Sequence, residues 1–164
     1  MFQIGDQIVY PMHGAGTIEA IEEREIQGKV QQYYVIKMAS SMQVMIPVNK
    51  MSHSSIRSVT KKVDLEKVLG VFHHEEPDHT QTWKQRFTSN MEKVKSGNML
   101  EGAEVVRDLM IRNEEKKLNS SERQMLYNAK KILVSELGII NGITENQASD
   151  LLEEKMLGVI AQAN

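Results

Sequence analysis

The chain has no cysteine, only 3 prolines and 1 tryptophan, and aromatics make up 5% of its 164 residues. Without cysteine there is no disulfide scaffold, no thiolate metal site and no cysteine nucleophile. The absence also fits a reducing compartment. No apolar run approaches the ~20 residues that a membrane span needs. The opening Met1-Phe2-Gln3-Ile4-Gly5-Asp6 has neither a charged start nor a long apolar stretch, so no signal peptide is expected. Charge of one sign is not in excess either: 20 Lys and Arg stand against 22 Asp and Glu, a net charge of -2. That balance excludes a globally basic nucleic-acid coat and a highly acidic disordered tail. There is no internal repeat and no low-complexity segment. The expectation is a globular protein of one or two domains, soluble and cytoplasmic.

What is present falls into two halves. Residues 1–60 carry the signals of short strands. Gln7-Ile8-Val9-Tyr10 is β-prone and is stopped by Pro11, Gly14 and Gly16. Gly16 to Glu22 alternates apolar and polar residues, the period of a half-buried strand. A Glu-rich amphipathic helix over Ile18 to Glu25 is the competing reading. Gly28 supplies a turn, and Tyr33–Met38 and Gln43–Val48 read as further strands. Closely spaced short strands with glycine turns predict a small antiparallel barrel.

After residue 60 the period becomes helical. Leu65, Val68, Leu69 and Phe72 form one stripe, with Asp64 as its cap. Trp83, Phe87, Met91 and Val94 form the second, broken by Ser96-Gly97-Asn98. Asn98 with Glu101, Asn119 with Glu122, and Thr144 with Gln147 are capping pairs that open three more helices. Their stripes are Ala103, Val106, Leu109 and Met110; then Met125 to Leu137, closed by Gly138; then Leu151 to Ile160. The predicted architecture is α+β: the barrel in residues 1–60, then a compact bundle of about five helices in 61–164.

Few constellations carry chemistry. His73, His74, Glu75, Glu76, Asp78 and His79 could ligate a metal, but no ligand spacing supports it, and a solvated loop at a helix end is the plainer reading. A metal-dependent hydrolase built on His73, His74 and His79 is therefore a rival, and elemental analysis would test it. Tyr10 to Gly16 contains G-x-G without the third glycine or a following helix, so a turn explains it better than a phosphate cradle. Nothing here argues for an enzyme or a cofactor. Trp83 reads as core by its stripe, yet it starts its helix straight after a polar loop, where an indole is easily left exposed. From Lys84 to Lys95 there are four basic residues (Lys84, Arg86, Lys93, Lys95) against Glu92 alone. A basic helix with an exposed ring can hold phosphates and press against bases; a solvated face is the alternative.

The residues also resemble a known family. Phe2-Gln3-Ile4-Gly5-Asp6-Gln7-Ile8-Val9-Tyr10-Pro11-Met12-His13-Gly14-Ala15-Gly16 looks like the opening of the bacterial CarD/CdnL transcription regulators. Their N-terminal module resembles the polymerase-binding module of the transcription-repair coupling factor. The similarity continues through Tyr34–Lys37, Val44–Val48, Thr82-Trp83, Ala103–Leu109 and Ile132–Leu137, in order over nearly the whole chain. It implies a Tudor-like barrel that docks on the RNA polymerase β subunit. It also implies a helical domain that meets promoter DNA at the upstream edge of the transcription bubble. The family's wedge tryptophan falls on Trp83, with basic partners on Arg86 and Arg123, and a polymerase-facing basic residue on Arg24. Met45 stands where a relative has Arg, and Gln85 and Thr88 replace basic residues.

Together these readings give a monomeric, non-enzymatic regulator. Trp83, Lys84, Arg86, Lys93 and Arg123 are expected on DNA, without sequence readout. Arg24, Met45, Ile46 and Pro47 are expected on polymerase, by addition to an exposed strand edge. A protein–protein adaptor, whose helical half recruits another factor, is the alternative. Residues 1–60 hold five bases (Arg24, Lys29, Lys37, Lys50, Arg57) and five acids (Asp6, Glu19, Glu22, Glu23, Glu25), leaving 15 and 17 for the rest. Neither half binds DNA by charge alone, so contact must be local and delivered by docking.

Overall fold

The computed structural model describes residues 1–74 and 78–163. Five antiparallel strands come first: β1 (Gln7–Tyr10), β2 (Gly14–Ile26), β3 (Lys29–Met38), β4 (Gln43–Pro47) and β5 (Arg57–Ser58). Their order in the sheet is β4-β3-β2-β1-β5, so β4 and β5 are its two edges and the sheet is open. The barrel expected from strand spacing is therefore not closed. β5 has two residues, too few to carry a ladder round to β4. The short helix α1 (Val48–Met51) and the segment after it cover the open side instead. Met51 and Ile56 pack onto Ile8, Ile18, Tyr34, Ile36 and Ile46 to form the sheet's core.

The stretch Ile18 to Glu25 is strand, not helix. Its pattern carries a defect: Ile18 pairs with Ile36 and Ile21 with Tyr34, although they are three residues apart. A β-bulge between Ile18 and Ala20 supplies the extra residue. It keeps both isoleucines opposite core residues of β3, which strict alternation would forbid.

Five helices follow: α2 (Lys62–His74), α3 (Trp83–Ser96), α4 (Met99–Glu115), α5 (Ser120–Asn141) and α6 (Glu145–Ala163). α2, α4 and α5 largely bury the stripes their sequences announce, α6 buries Leu152 and Met156 of its stripe, and α3 buries Val94 but leaves Trp83 half exposed. Leu65, Val68 and Phe72 meet Ala103, Val106 and Leu109, which meet Met125, Leu133 and Leu137, with Leu152 and Met156 closing the core. Complete burial of a side chain such as Phe72 contributes about 1.5–3 kcal/mol.

The three caps expected from spacing form, whereas Asp64, expected to cap α2, lies within its first turn. Asn98 Oδ1 accepts from the Glu101 amide, and Asn119 Oδ1 from the Glu122 amide. Thr144 and Gln147 bond reciprocally. Gly97 ends α3 in the left-handed conformation, at φ +72°. Gly138 does not end its helix: α5 runs on to Asn141 and is capped by Gly142. Gly138 is needed for close approach instead. A Cβ there would lie 3.2 Å from the Ile143 carbonyl oxygen, where the chain turns back into α6.

The sheet and the bundle are locked together through α5. The Ala15 amide on β2 donates to Ser135 Oγ at 3.0 Å. Arg57 on β5 donates through both terminal nitrogens to the two oxygens of Glu136, each at 2.8 Å, and through Nε to the Gly97 carbonyl at 2.7 Å. Glu136, 1% exposed, also accepts from the Thr60 amide at 2.9 Å. This contact sets where the helical half lies relative to the free edge β4.

Candidate functional site

Trp83 is the first residue of α3, and its position is tightly specified. Thr82 Oγ1 accepts from the Gln85 amide while Gln85 Oε1 accepts from the Thr82 amide, a full capping box. Ahead of it, Asp78 accepts from the Thr80 hydroxyl at 2.6 Å and the Thr80 amide at 2.8 Å. Those two bonds, the hydroxyl first, hold the Asp78 carboxyl below its ordinary pKa, with help from the charge of Arg112. Arg112 on α4 also donates to the Asp78 carbonyl. The segment 78–82 that delivers Trp83 is thus held at Asp78 and at Thr82.

The indole is 50% exposed. One edge rests on Phe87, with ring centroids 6.5 Å apart and planes at 69°. Phe87 packs in turn on the helical core. Of the two sequence readings, exposure at the helix start prevails over burial, and Phe87 supplies a firm backing.

The basic residues around it divide into two sorts. Arg86 Nε donates to Glu122 Oε1 at 2.8 Å, and the two side chains are only 15% and 3% exposed. Glu122 thus leaves the reciprocal half of its capping box and turns to Arg86. The pair fastens the first turn of α3 to the first turn of α5. Lys93 is held by Glu104 of α4 at 2.8 Å, and ten residues of helix separate it from Trp83, about 15 Å. Lys84, Lys95 and Arg123 are exposed and have no ion pair among the described residues. The structure therefore gathers Trp83, Lys84, Arg86 and Arg123 at two joined helix N-termini, whose dipoles add positive potential. Lys93 lies away from that corner. Sequence reasoning missed Glu122 as a partner, because nothing periodic links positions 36 apart.

On the sheet, β4 presents an unpaired outer side. Register places Pro47 opposite Tyr33 and Met45 opposite Val35, while Arg24 lies opposite Gln31, two residues beyond Tyr33 on β3. Arg24, Met45 and Pro47 therefore share one face, since strand side chains alternate and paired residues lie on the same side. Ile46 does not join them. Its side chain points to the opposite face and is buried in the sheet core, so it is not offered on the face that Met45 and Pro47 share. Arg24 is exposed and bonds Glu22 at 2.7 Å.

The histidine cluster falls largely outside the described residues. Asp78 and His79 are described and exposed. Among the described residues no group of three or more His, Cys, Asp or Glu is placed to hold a metal. Among them also, no helix is long and apolar enough to cross a membrane.

Fold and surfaces together define a small α+β protein, a sheet followed by a helical bundle, with a bare strand edge on the sheet and a backed, exposed indole on the bundle. Residues 2–60 match the CarD-like/TRCF RID domain, and residues 67–153 match the CarD C-terminal domain. Over 148 residues the chain is 57% identical to the "Putative transcription factor YdeB" of Bacillus subtilis (strain 168), covering 90% of this chain and 97% of the relative. The chain belongs to the CarD family of transcription regulators.

Proposed function

We propose that this protein binds the β subunit of RNA polymerase through the β4 edge and stabilises the open promoter complex by setting Trp83 against the upstream edge of the bubble. The observation that carries this reading is the half-exposed indole, backed by Phe87 and accompanied by Lys84 and Arg123, exposed cations with no ion pair among the described residues. An apolar ring at an unstacked step opposes restacking, while neighbouring cations hold phosphates without reading sequence. Arg86 and Lys93 serve the same surface indirectly, by joining α3 to α5 and α4.

Docking makes a weak DNA contact effective. Tethering raises the local concentration of the wedge, and the Arg57–Glu136 contact keeps it at a set displacement from the tether. The wedge favours the open state only by its differential affinity for that state. Binding is expected as a monomer, with nucleoid association arising through polymerase.

The test is the lifetime of the open complex on a linear promoter with the Trp83→Ala variant. Roughly tenfold faster collapse with unchanged folding is expected, the equivalent of about 1.4 kcal/mol. A folded variant that prolongs the complex as well as the parent would refute the wedge.

A further inference from the structure

A second basic feature lies on α5, beyond the corner that Trp83 occupies. Arg123, Tyr127 and Lys131 stand four residues apart, so they form one stripe along the helix. All three are exposed, Tyr127 by 61%. Neither cation has an ion pair among the described residues, whereas neighbouring Lys130 is held by Glu153 at 2.8 Å. The stripe begins at the helix end that Glu122 fastens to Arg86 and runs toward the sheet. There it enters a cleft of about 290 Å³ between α5 and the turns at 11–13 and 39–42 of the sheet domain. Lys131 and His13 both line this cleft, with Asn128 and Ser40 as further donors. His13 is backed by the Tyr10 ring, 4.4 Å away between centroids. Glu145, at the start of α6, is the one carboxylate lining the cleft among the described residues.

We propose that the stripe is a track for the DNA backbone, continuing the contact from Trp83 along the duplex flank of the bubble. The inference rests on the wedge reading and names a new part of its surface. Arg123, the Tyr127 hydroxyl and Lys131 take phosphates of one strand about two nucleotides apart, and His13 meets the last of them at the cleft. The spacing suits that ligand. Arg123 to Lys131 spans about 12 Å of helix, or about three to four nucleotides of duplex at 3.4 Å per nucleotide. Tyrosine hydroxyls and lysines are ordinary phosphate donors and carry no sequence information. Such a track explains why acids occupy Arg86, Lys93 and Lys130 but leave Arg123 and Lys131 open.

The experiment places a photoreactive phenylalanine analogue at Tyr127 and, separately, at Lys84 as the reference. Each full-length protein is irradiated in the complete polymerase–promoter open complex. Crosslinks from both positions to DNA are expected, those from 127 farther into the duplex than those from 84. A DNA crosslink from 84 with none from 127 would overturn the track and leave the wedge standing. Crosslinking from 127 to a polymerase subunit would assign the stripe to protein and also overturn it. No DNA crosslink from either position would remove the wedge reading and the track together. In parallel, Lys131→Gln should lower the slope of log affinity against log salt by about 1 for the polymerase-docked protein; an unchanged slope counts against the track.

Discussion

Arg57 at the edge of the sheet and Glu136 in the middle of α5 meet as a two-pronged ion pair, 79 residues apart in sequence, with both bonds at 2.8 Å. The carboxylate is buried and the guanidinium partly open. The arginine also reaches the Gly97 carbonyl, so one side chain ties β5, α5 and the end of α3.

Removing one partner should therefore cost more than removing both. Arg57→Ala leaves the buried Glu136 with only the Thr60 amide, and the loss is expected at about 3 kcal/mol, the lower end for a buried pair because Arg57 is partly hydrated. Adding Glu136→Gln to that variant should recover part of the loss. Urea unfolding of the two singles and the double measures the coupling. Additive losses would show that the pair is not energetically linked.

Arg86 offers a sharper distinction, between a strut and a phosphate ligand. Arg86→Gln removes the charge opposite Glu122, which is 3% exposed. If the arginine is a strut, thermal stability falls, while the salt dependence of DNA contact in the docked complex keeps its slope. If it were a phosphate ligand, the slope would drop by about 1. Stability loss with an unchanged slope is the expected result. Lys84→Gln should do the reverse, since Lys84 is exposed and unpaired among the described residues.

How far the sequence disclosed this arrangement depends on the kind of contact. Five helices and three caps were legible because a period of 3.6 and a Ser/Thr/Asn to Glu/Gln spacing are local properties; Trp83, counted in the α3 stripe by its period, is half exposed because it begins the helix. The cap of α3, Thr82 with Gln85, has the same local spacing. Gly138 misled because a glycine required for close packing and one required for positive φ look alike in a sequence. Sheet closure was not legible, since strand lengths do not tell whether the last strand returns to the first. Nor was the pairing of Arg86 with Glu122 or of Arg57 with Glu136. Long-range partners follow from tertiary packing, and the sequence shows only that bases and acids balance. Alternation did say that Ile46 must face away from Met45 and Pro47, had it been applied within β4.

The loop before α3 carries a pH dependence. The Asp78 carboxyl is lowered by the Thr80 hydroxyl first, then by the Thr80 amide and Arg112. A depressed carboxylate contributes its stabilisation fully above the unfolded-state value, near 3.9, and loses it as pH falls through the lower folded value. At neutral pH the turn is thus at full strength, and acidification below about pH 4 weakens it. Thr80→Ala should move the Asp78 titration, followed by carboxyl carbon NMR, up toward the ordinary range. No movement would mean that the two bonds do not govern the carboxyl.

The sheet face allows the tether to be separated from the fold. Met45 and Arg24 are exposed on the face they share with Pro47, while Ile46 is buried on the other. Met45→Glu places a charge beside the free edge without disturbing the core, and Arg24→Glu reverses charge at a site where the existing partner is Glu22. Both variants are expected to fold with stability within about 0.5 kcal/mol of the parent, as surface changes do. Both should lose capture by the isolated β subunit, with the open-complex lifetime falling as docking weakens. Ile46→Ala should behave in the opposite manner. It removes buried methyl and methylene groups and should cost about 2–5 kcal/mol, yet the molecules that remain folded should still be captured, because β4 offers its backbone edge and not this side chain. Capture that survives Met45→Glu and Arg24→Glu would move the polymerase contact off this edge of the sheet, and the β5 edge would be the next to test.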